Sequence, residues 1–207
     1  MIRELQVQGV FQENTYFLID QHTLSGFLID PGAQPDLIAD VISHNGWTIE
    51  RILLTHGHFD HMGAASLLSR ELNAPIFIHH ADARYMSDPR LNLSANSPRP
   101  FVVEHYDELN DDQEITLAAN PHFHLKVIHT PGHTPGSVTY YSAEENAAFV
   151  GDLLYQHGPG LTDFPGGNRL QLERSIIDKI LTLPPDTILL SGHSSPITVA
   201  RQRSLLL

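Results

Sequence analysis

Leu53-Leu54-Thr55-His56-Gly57-His58-Phe59-Asp60-His61 joins an apolar run, which begins at Ile52, to a segment dense in imidazole and carboxylate. The apolar run predicts a strand that stops before Thr55 and hands over to a loop. Loops held by rigid strands are where chemistry is usually placed. Imidazole nitrogens together with a carboxylate oxygen suit zinc, iron or manganese.

Three further candidates follow apolar runs later in the chain. His133 lies in His129-Thr130-Pro131-Gly132-His133-Thr134-Pro135-Gly136-Ser137, Asp152 in Phe149-Val150-Gly151-Asp152, and His193 in Leu189-Leu190-Ser191-Gly192-His193. Each sits beside glycine, where the backbone can bend tightly and present a side chain. Taken singly, each has a plain alternative. A histidine in a Pro-Gly turn can be a surface residue, and an aspartate at a strand end can be a turn former or helix cap. The recurrence of one placement, a ligand type just past a strand, argues for a single shared site.

Outward from these positions the chain alternates between strand and helix signals. Asn14 to Asp20 and Gly26 to Asp30 are β-rich, and the polar segment Gln21 to Ser25 between them predicts a hairpin. Asp30-Pro31-Gly32 is a turn. Pro35 opens a helix with Leu37, Ile38, Val41 and Ile42 on its apolar face, and Gly46 closes it. Arg51 to Leu54 is a buried strand, Gly63 to Leu72 a helix with Leu67, Leu68 and Leu72 facing inward, and Pro75 to Ile78 another strand. Ala81 to Met86 predicts a short helix, and Ser87 to Pro100 a surface loop. Strands are expected over Glu114 to Leu117, Phe123 to His129, Ser137 to Tyr141, Ala147 to Val150 and Thr187 to Leu190. Arg169 to Leu181, with Leu172, Ile176, Ile177 and Ile180 in a stripe, and Val199 to Leu206 are the remaining helices. Sheets with helices outside them, one from each half, make an α/β protein of four layers, an αββα sandwich.

At 207 residues the chain can bury one full core. No linker or repeat divides it, so one domain over 1–207 is expected. The net charge of −12, with only 12 Lys and Arg and no run of them, argues against nucleic acid and anionic membrane as partners. Cysteine is absent, which removes disulfides and thiolates and leaves His and carboxylate as the only ligands for zinc or iron. Met1 to Gln6 lacks the apolar core of a signal peptide, and no run reaches the roughly 20 apolar residues of a membrane helix, so a cytoplasmic enzyme is expected.

These motifs, Asp30-Pro31-Gly32, His56-x-His58-x-Asp60-His61, His133, Gly151-Asp152 and Gly192-His193, resemble the metallo-β-lactamase superfamily over nearly the whole chain. Thr130 to Ser137 and Gly151-Asp152-Leu153-Leu154 are especially similar to the short glyoxalase II-like hydrolases. The resemblance implies the αββα sandwich and two divalent metal ions, zinc first, with iron or manganese as alternatives. It implies that His56, His58 and His133 hold one ion, that Asp60, His61 and His193 hold the other, and that Asp152 bridges them. Asp30 would orient the histidine loop from behind, although a simple turn-initiating role fits the sequence equally.

The expected chemistry is hydrolysis of a small acyl thioester, as in hydroxyacylglutathione hydrolases, by a hydroxide bound to the two metals, with Asp60 orienting it. A thiolate leaves with little need of a proton. Lactone or β-lactam hydrolysis on the same site is an alternative. So is an iron-dependent persulfide dioxygenase using only His56, His58 and His133. The partner is a small molecule, and the oligomeric state is open. Longer glyoxalase II enzymes carry a further helical domain, which this sequence, ending soon after His193, is expected to lack. Leu161 stands where short relatives usually carry Arg, and Ser194-Ser195-Pro196 replaces a Gly-Pro. The other histidines are read as ordinary residues.

Overall fold

The computed structural model describes residues 1–206, so Leu207, the last residue of the expected domain, lies outside the described part. The first half supplies β1 (Ile2–Gln8), β2 (Gln12–Ile19), β3 (Ser25–Ile29), α1 (Pro35–Asn45), β4 (Thr48–Leu53), α2 (Phe59–Met62), α3 (Ala65–Leu72), β5 (Ile76–His79) and β6 (Asp107–Leu109). The second half supplies β7 (Glu114–Thr116), β8 (His124–His129), β9 (Val138–Ser142), β10 (Ala147–Gly151), the two-residue strands β11 (Leu154–Tyr155) and β12 (Gly158–Pro159), α4 (Arg169–Ser175), β13 (Ile188–Ser191), β14 (Ile197–Thr198) and α5 (Val199–Leu206).

Two six-stranded sheets result, in the orders β1-β2-β3-β4-β5-β6 and β14-β13-β10-β9-β8-β7. Strand alternation distributes the apolar residues among three layers of core. On β2, Tyr16 and Leu18 face the other sheet while Phe17 and Ile19 face the helices. On β10, Phe149 faces the other sheet and Ala148 and Val150 face α4 and α5. The expected αββα order is therefore present. β3 pairs with β4 in parallel, and β10 with β13 in parallel. Their C-terminal ends open at the same edge of the sandwich, which is where Asp30, Thr55, Asp152 and His193 follow.

α1 begins and ends as its sequence demands. Pro35 occupies the first turn, and Gly46 takes a left-handed φ of 66° while its N–H bonds to the Ile42 and Ser43 carbonyls. Four local expectations change. β1 pairs with β2 along its whole length and had no strand signal of its own, because it is mostly exposed and only Val7 is buried. Asp60 and His61 stand on a short helix, α2, not in a loop. The helix expected from Gly63 begins at Ala65, and Leu67 is exposed rather than inward. The helix expected over Arg169 to Leu181 changes at Ile176–Ile180 into a π-helical turn, which puts Ile177 outside.

Candidate metal centre

All seven ligand-type residues named from the sequence meet at this edge. His56 and His58 leave the end of β4, His133 the loop after β8, Asp152 the end of β10 and His193 the end of β13. Potential ligand atoms of His56, His58 and His133 lie within 4.8 Å of one another, as do those of Asp60, His61 and His193, and those of His56, His61 and Asp152. His133 Nε2 is 2.9 Å and His56 Nε2 3.1 Å from His58 Nδ1. His61 Nε2 is 3.3 Å from His193 Nε2 and 3.4 Å from Asp152 Oδ1. Asp152 Oδ2 reaches toward both sets, 3.7 Å from His133 Nε2 and 3.6 Å from His193 Nε2.

The outward nitrogens decide what the inward ones can do. Thr55 Oγ1 donates to Asp30 Oδ2 at 2.6 Å, so it can only accept from His56 Nδ1, at 3.1 Å. His61 Nδ1 donates to Asp30 Oδ2 at 3.0 Å, His133 Nδ1 to the Leu161 carbonyl at 2.7 Å, and His193 Nδ1 to the Gln12 carbonyl at 2.6 Å. In the neutral ring a proton on one nitrogen leaves the other bare. Four Nε2 atoms are thus aimed inward beside two carboxylates, each offering a lone pair when its ring is neutral. Asp152 Oδ1 is buried without a hydrogen-bond partner among the described residues. Such a convergence of acceptors is unfavourable unless a cation sits among them. The donor set therefore fits a pair of divalent ions.

The titration of these groups follows their surroundings. Burial, reinforced by His61 and His133, holds His56 well below the usual histidine range. Burial and then His133 push His58 down to about 3, and burial lowers His133. Burial also opposes charge on His61, but Asp152 and Asp30 outweigh it and raise that ring well above its ordinary value. Burial works against ionised Asp60 and Asp152 too. His193 and His61 keep Asp60 low, and His61 with its neighbours keeps Asp152 well below the carboxylate range.

Two glycines are required by close approach. Gly192 packs so tightly that a methyl group there would collide with the His61 ring and crowd Asp152 Oδ1. Gly132 has a φ of 142° and lies against the Leu172 backbone, which sets the entry of the loop that carries His133.

Three supporting residues escaped the sequence reading. Thr55 is the middle of the Asp30–Thr55–His56 chain. Asp82, fully buried, takes N–H bonds from Gly57 (3.0 Å) and Gly136 (2.6 Å) and the Thr134 hydroxyl (2.6 Å). It thereby ties the His56–His58 loop to the His133 loop. Glu13 is buried behind His61, with Oε1 3.9 Å from His61 Nδ1, and burial pushes its carboxyl well up. A carboxylate on an otherwise apolar strand was the one available signal for Glu13, and the polar segment His80–Met86 gave none for Asp82.

A family model described as Metallo-beta-lactamase superfamily matches residues 8–193. The chain is 37% identical over 203 residues to the "Probable metallo-hydrolase YqgX" of Bacillus subtilis, covering 94% of this chain and 91% of that one. It is 31% identical over 193 residues to the "Hydroxyacylglutathione hydrolase GloC" of Haemophilus influenzae, covering 93% and 91%. Among solved structures it is similar to the BLEG-1 B3 metallo-beta-lactamase, with a TM-score of 0.92, 34% identity and 100% of both chains covered. It is also similar to TTHA1623 in a di-iron-bound form, with a TM-score of 0.84, 30% identity, and 97% and 96% covered. Among the described residues, no helix is long and apolar enough to cross a membrane.

Proposed function

The chain belongs to the metallo-beta-lactamase superfamily, and from that premise we propose that it is a metal-dependent hydrolase of a small acyl thioester. The observation that carries this reading is the inward convergence of four imidazole Nε2 atoms and two carboxylates. His56, His58 and His133 would hold one divalent ion and Asp60, His61 and His193 the other, with Asp152 between them. When bound, the ion pair supplies an activated water and positive charge facing the carbonyl oxygen.

The chain's own residues do the rest. Asp30, Thr55, Leu161 and Gln12 fix each ring's proton on the outer nitrogen, so that the inner one is ready to ligate. Asp60 stays ionised, because His193 and His61 outweigh its burial, and accepts a hydrogen bond from the attacking water. Phe164, with ring centroids 5.5 Å from His58 and 5.8 Å from His133, walls one side against solvent. A thiolate leaves without a proton, so Asp60 need not act as an acid. The likeness to a protein named hydroxyacylglutathione hydrolase supports the thioester.

The likeness to a B3 metallo-beta-lactamase favours a second reading, lactam or lactone hydrolysis on the same site. The complete second set Asp60, His61 and His193 argues for two ions over a single-iron oxygenase. Zinc is the proposed metal, and the likeness to a di-iron form supports iron as its rival.

The test is a substrate panel on protein loaded in turn with zinc, iron and manganese. S-Lactoylglutathione or another acyl thioester should be cleaved, and chelator should abolish the cleavage. A loaded sample that cleaves β-lactam or lactone and no thioester would transfer the assignment to the second reading.

A further inference from the structure

A pocket of about 220 Å³ opens beside Asp60, walled by Val10, Phe11, Ala33, Phe59 and Phe101. Its aromatic rings form a series, with centroids 6.2 Å apart for Phe11 and Phe59 and 5.8 Å apart for Phe59 and Phe101. Val10 and Phe11 lie at the turn between β1 and β2, where polar residues are usual, and are 68% and 56% exposed. Apolar residues scattered singly over a surface need no explanation. Two adjoining ones at the mouth of a pocket that shares Asp60 with the metal centre do. Packing does not account for them, since both stand largely clear of the core.

The charge around this pocket is equally informative. Among the described residues, no Lys or Arg lines it. The His58–His133 side of the metal centre has apolar neighbours as well. Phe164 lies there against His58 and His133, and Leu161, whose carbonyl fixes His133, is 55% exposed. A carboxylate on the substrate would meet no counter-ion in the pocket, and away from Asp60 and Gln34 a hydroxyl would meet no polar side chain.

We propose that the pocket beside Asp60 receives the acyl chain of the substrate, and that this chain is apolar and uncharged rather than small and hydroxylated. A cavity of roughly 150 Å³ takes benzene, so this one accommodates an aromatic ring or an aliphatic chain of about six carbons. The proposal rests on the hydrolase reading above only for the place of attack.

The experiment is a series of S-acyl-N-acetylcysteamine thioesters, acetyl, butanoyl, hexanoyl and phenylacetyl, on metal-loaded protein. Burying one methylene predicts a rise in kcat/KM of about fourfold, so hexanoyl should exceed acetyl by about two hundredfold. Phe11→Ser and Phe101→Ala should each flatten that slope. Where Phe101→Ala fails to fold, Phe11→Ser, at an exposed position, carries the test. A flat or falling slope in the parent protein, or the same slope in the variants, overturns the proposal while leaving the thioesterase reading intact. If no thioester is cleaved, that reading fails, and binding of hexanoate against acetate, followed calorimetrically on the metal-loaded protein, decides the pocket. Hexanoate at least about tenfold tighter, with the gain lost in Phe11→Ser, supports it. Equal affinities overturn it.

Discussion

Asp30→Asn keeps the shape of a buried side chain and removes one acceptor, so its effect can be worked through atom by atom. Asp30 Oδ1 accepts from the Thr55 N–H at 2.7 Å, and Oδ2 accepts from Thr55 Oγ1 at 2.6 Å and His61 Nδ1 at 3.0 Å. Its φ of 47° is one that Asn tolerates, so the backbone is not the variable. The amide has two orientations. With its oxygen toward His61, its NH2 faces the Thr55 N–H, donor against donor. With its NH2 toward His61, it donates to Nδ1 and to Thr55 Oγ1. The His61 proton then moves to Nε2, and the Thr55 hydroxyl turns toward His56 with the same result. Those are the nitrogens that must be bare to hold ions. Metal binding therefore has to drive the side chain into the first orientation, which leaves a buried donor unsatisfied at a cost of about 1–3 kcal/mol. The expected outcome is a loss of about 10- to 100-fold in metal affinity. Competition against a chromophoric chelator measures it. An Asp30→Asn protein that takes up two ions with parental affinity would refute the tautomer reasoning.

Three other perturbations have definite outcomes. Asp82→Ala leaves the Gly57 and Gly136 N–H groups without an acceptor, at about 1–3 kcal/mol each, partly offset by the relief of a buried charge. Burial pushes the Asp82 carboxyl up to about 6. A raised folded-state pKa adds stability as pH falls, so the metal-free parent should gain on Asp82→Ala between pH 7 and 4, as urea titrations at several pH values would register. Gly192→Ala should cost the second ion and most activity through its clash with His61, with elemental analysis falling toward one metal per chain. His58 is pushed down to about 3, so its contribution to the metal-free protein is present above pH 6.5 and is lost as pH falls toward 3. Thermal melts of chelated protein should follow that direction.

The site was legible because each ligand follows an apolar run, and strand ends are the one place where sequence order predicts spatial convergence. His133 illustrates the limit. In a Pro-Gly turn it looks like a surface residue, yet it is buried, because Gly132 fits against the Leu172 backbone, a contact 40 residues away in the chain. Asp82 was invisible for a related reason. Its partners Gly57, Thr134 and Gly136 come from two loops that meet only in the folded sandwich. Asp30 could be a turn former or a supporting carboxylate on sequence grounds, and its bonds to Thr55 and His61 show that it is more than a turn. Ile177 was misplaced because the apolar stripe assumed a uniform 3.6-residue period, which the π-helical turn breaks. β1 was missed because an edge strand with mixed burial carries no alternation to read.

The two sheets are drawn from opposite halves of the polypeptide, which crosses from one to the other once, between Leu109 and Glu114. His56, His58, Asp60 and His61 belong to the first half and His133, Asp152 and His193 to the second. Any ion gripped by both sets is a rivet between two shells, added to the one covalent crossing, the shared apolar seam and cross-sheet hydrogen bonds such as Tyr16 to the Ser191 carbonyl and Tyr140 to the Leu54 carbonyl. A thousandfold excess of metal over its dissociation constant would fasten the shells by about 4 kcal/mol. Metal supply thus sets not only how fast this hydrolase turns over but how readily its two halves come apart.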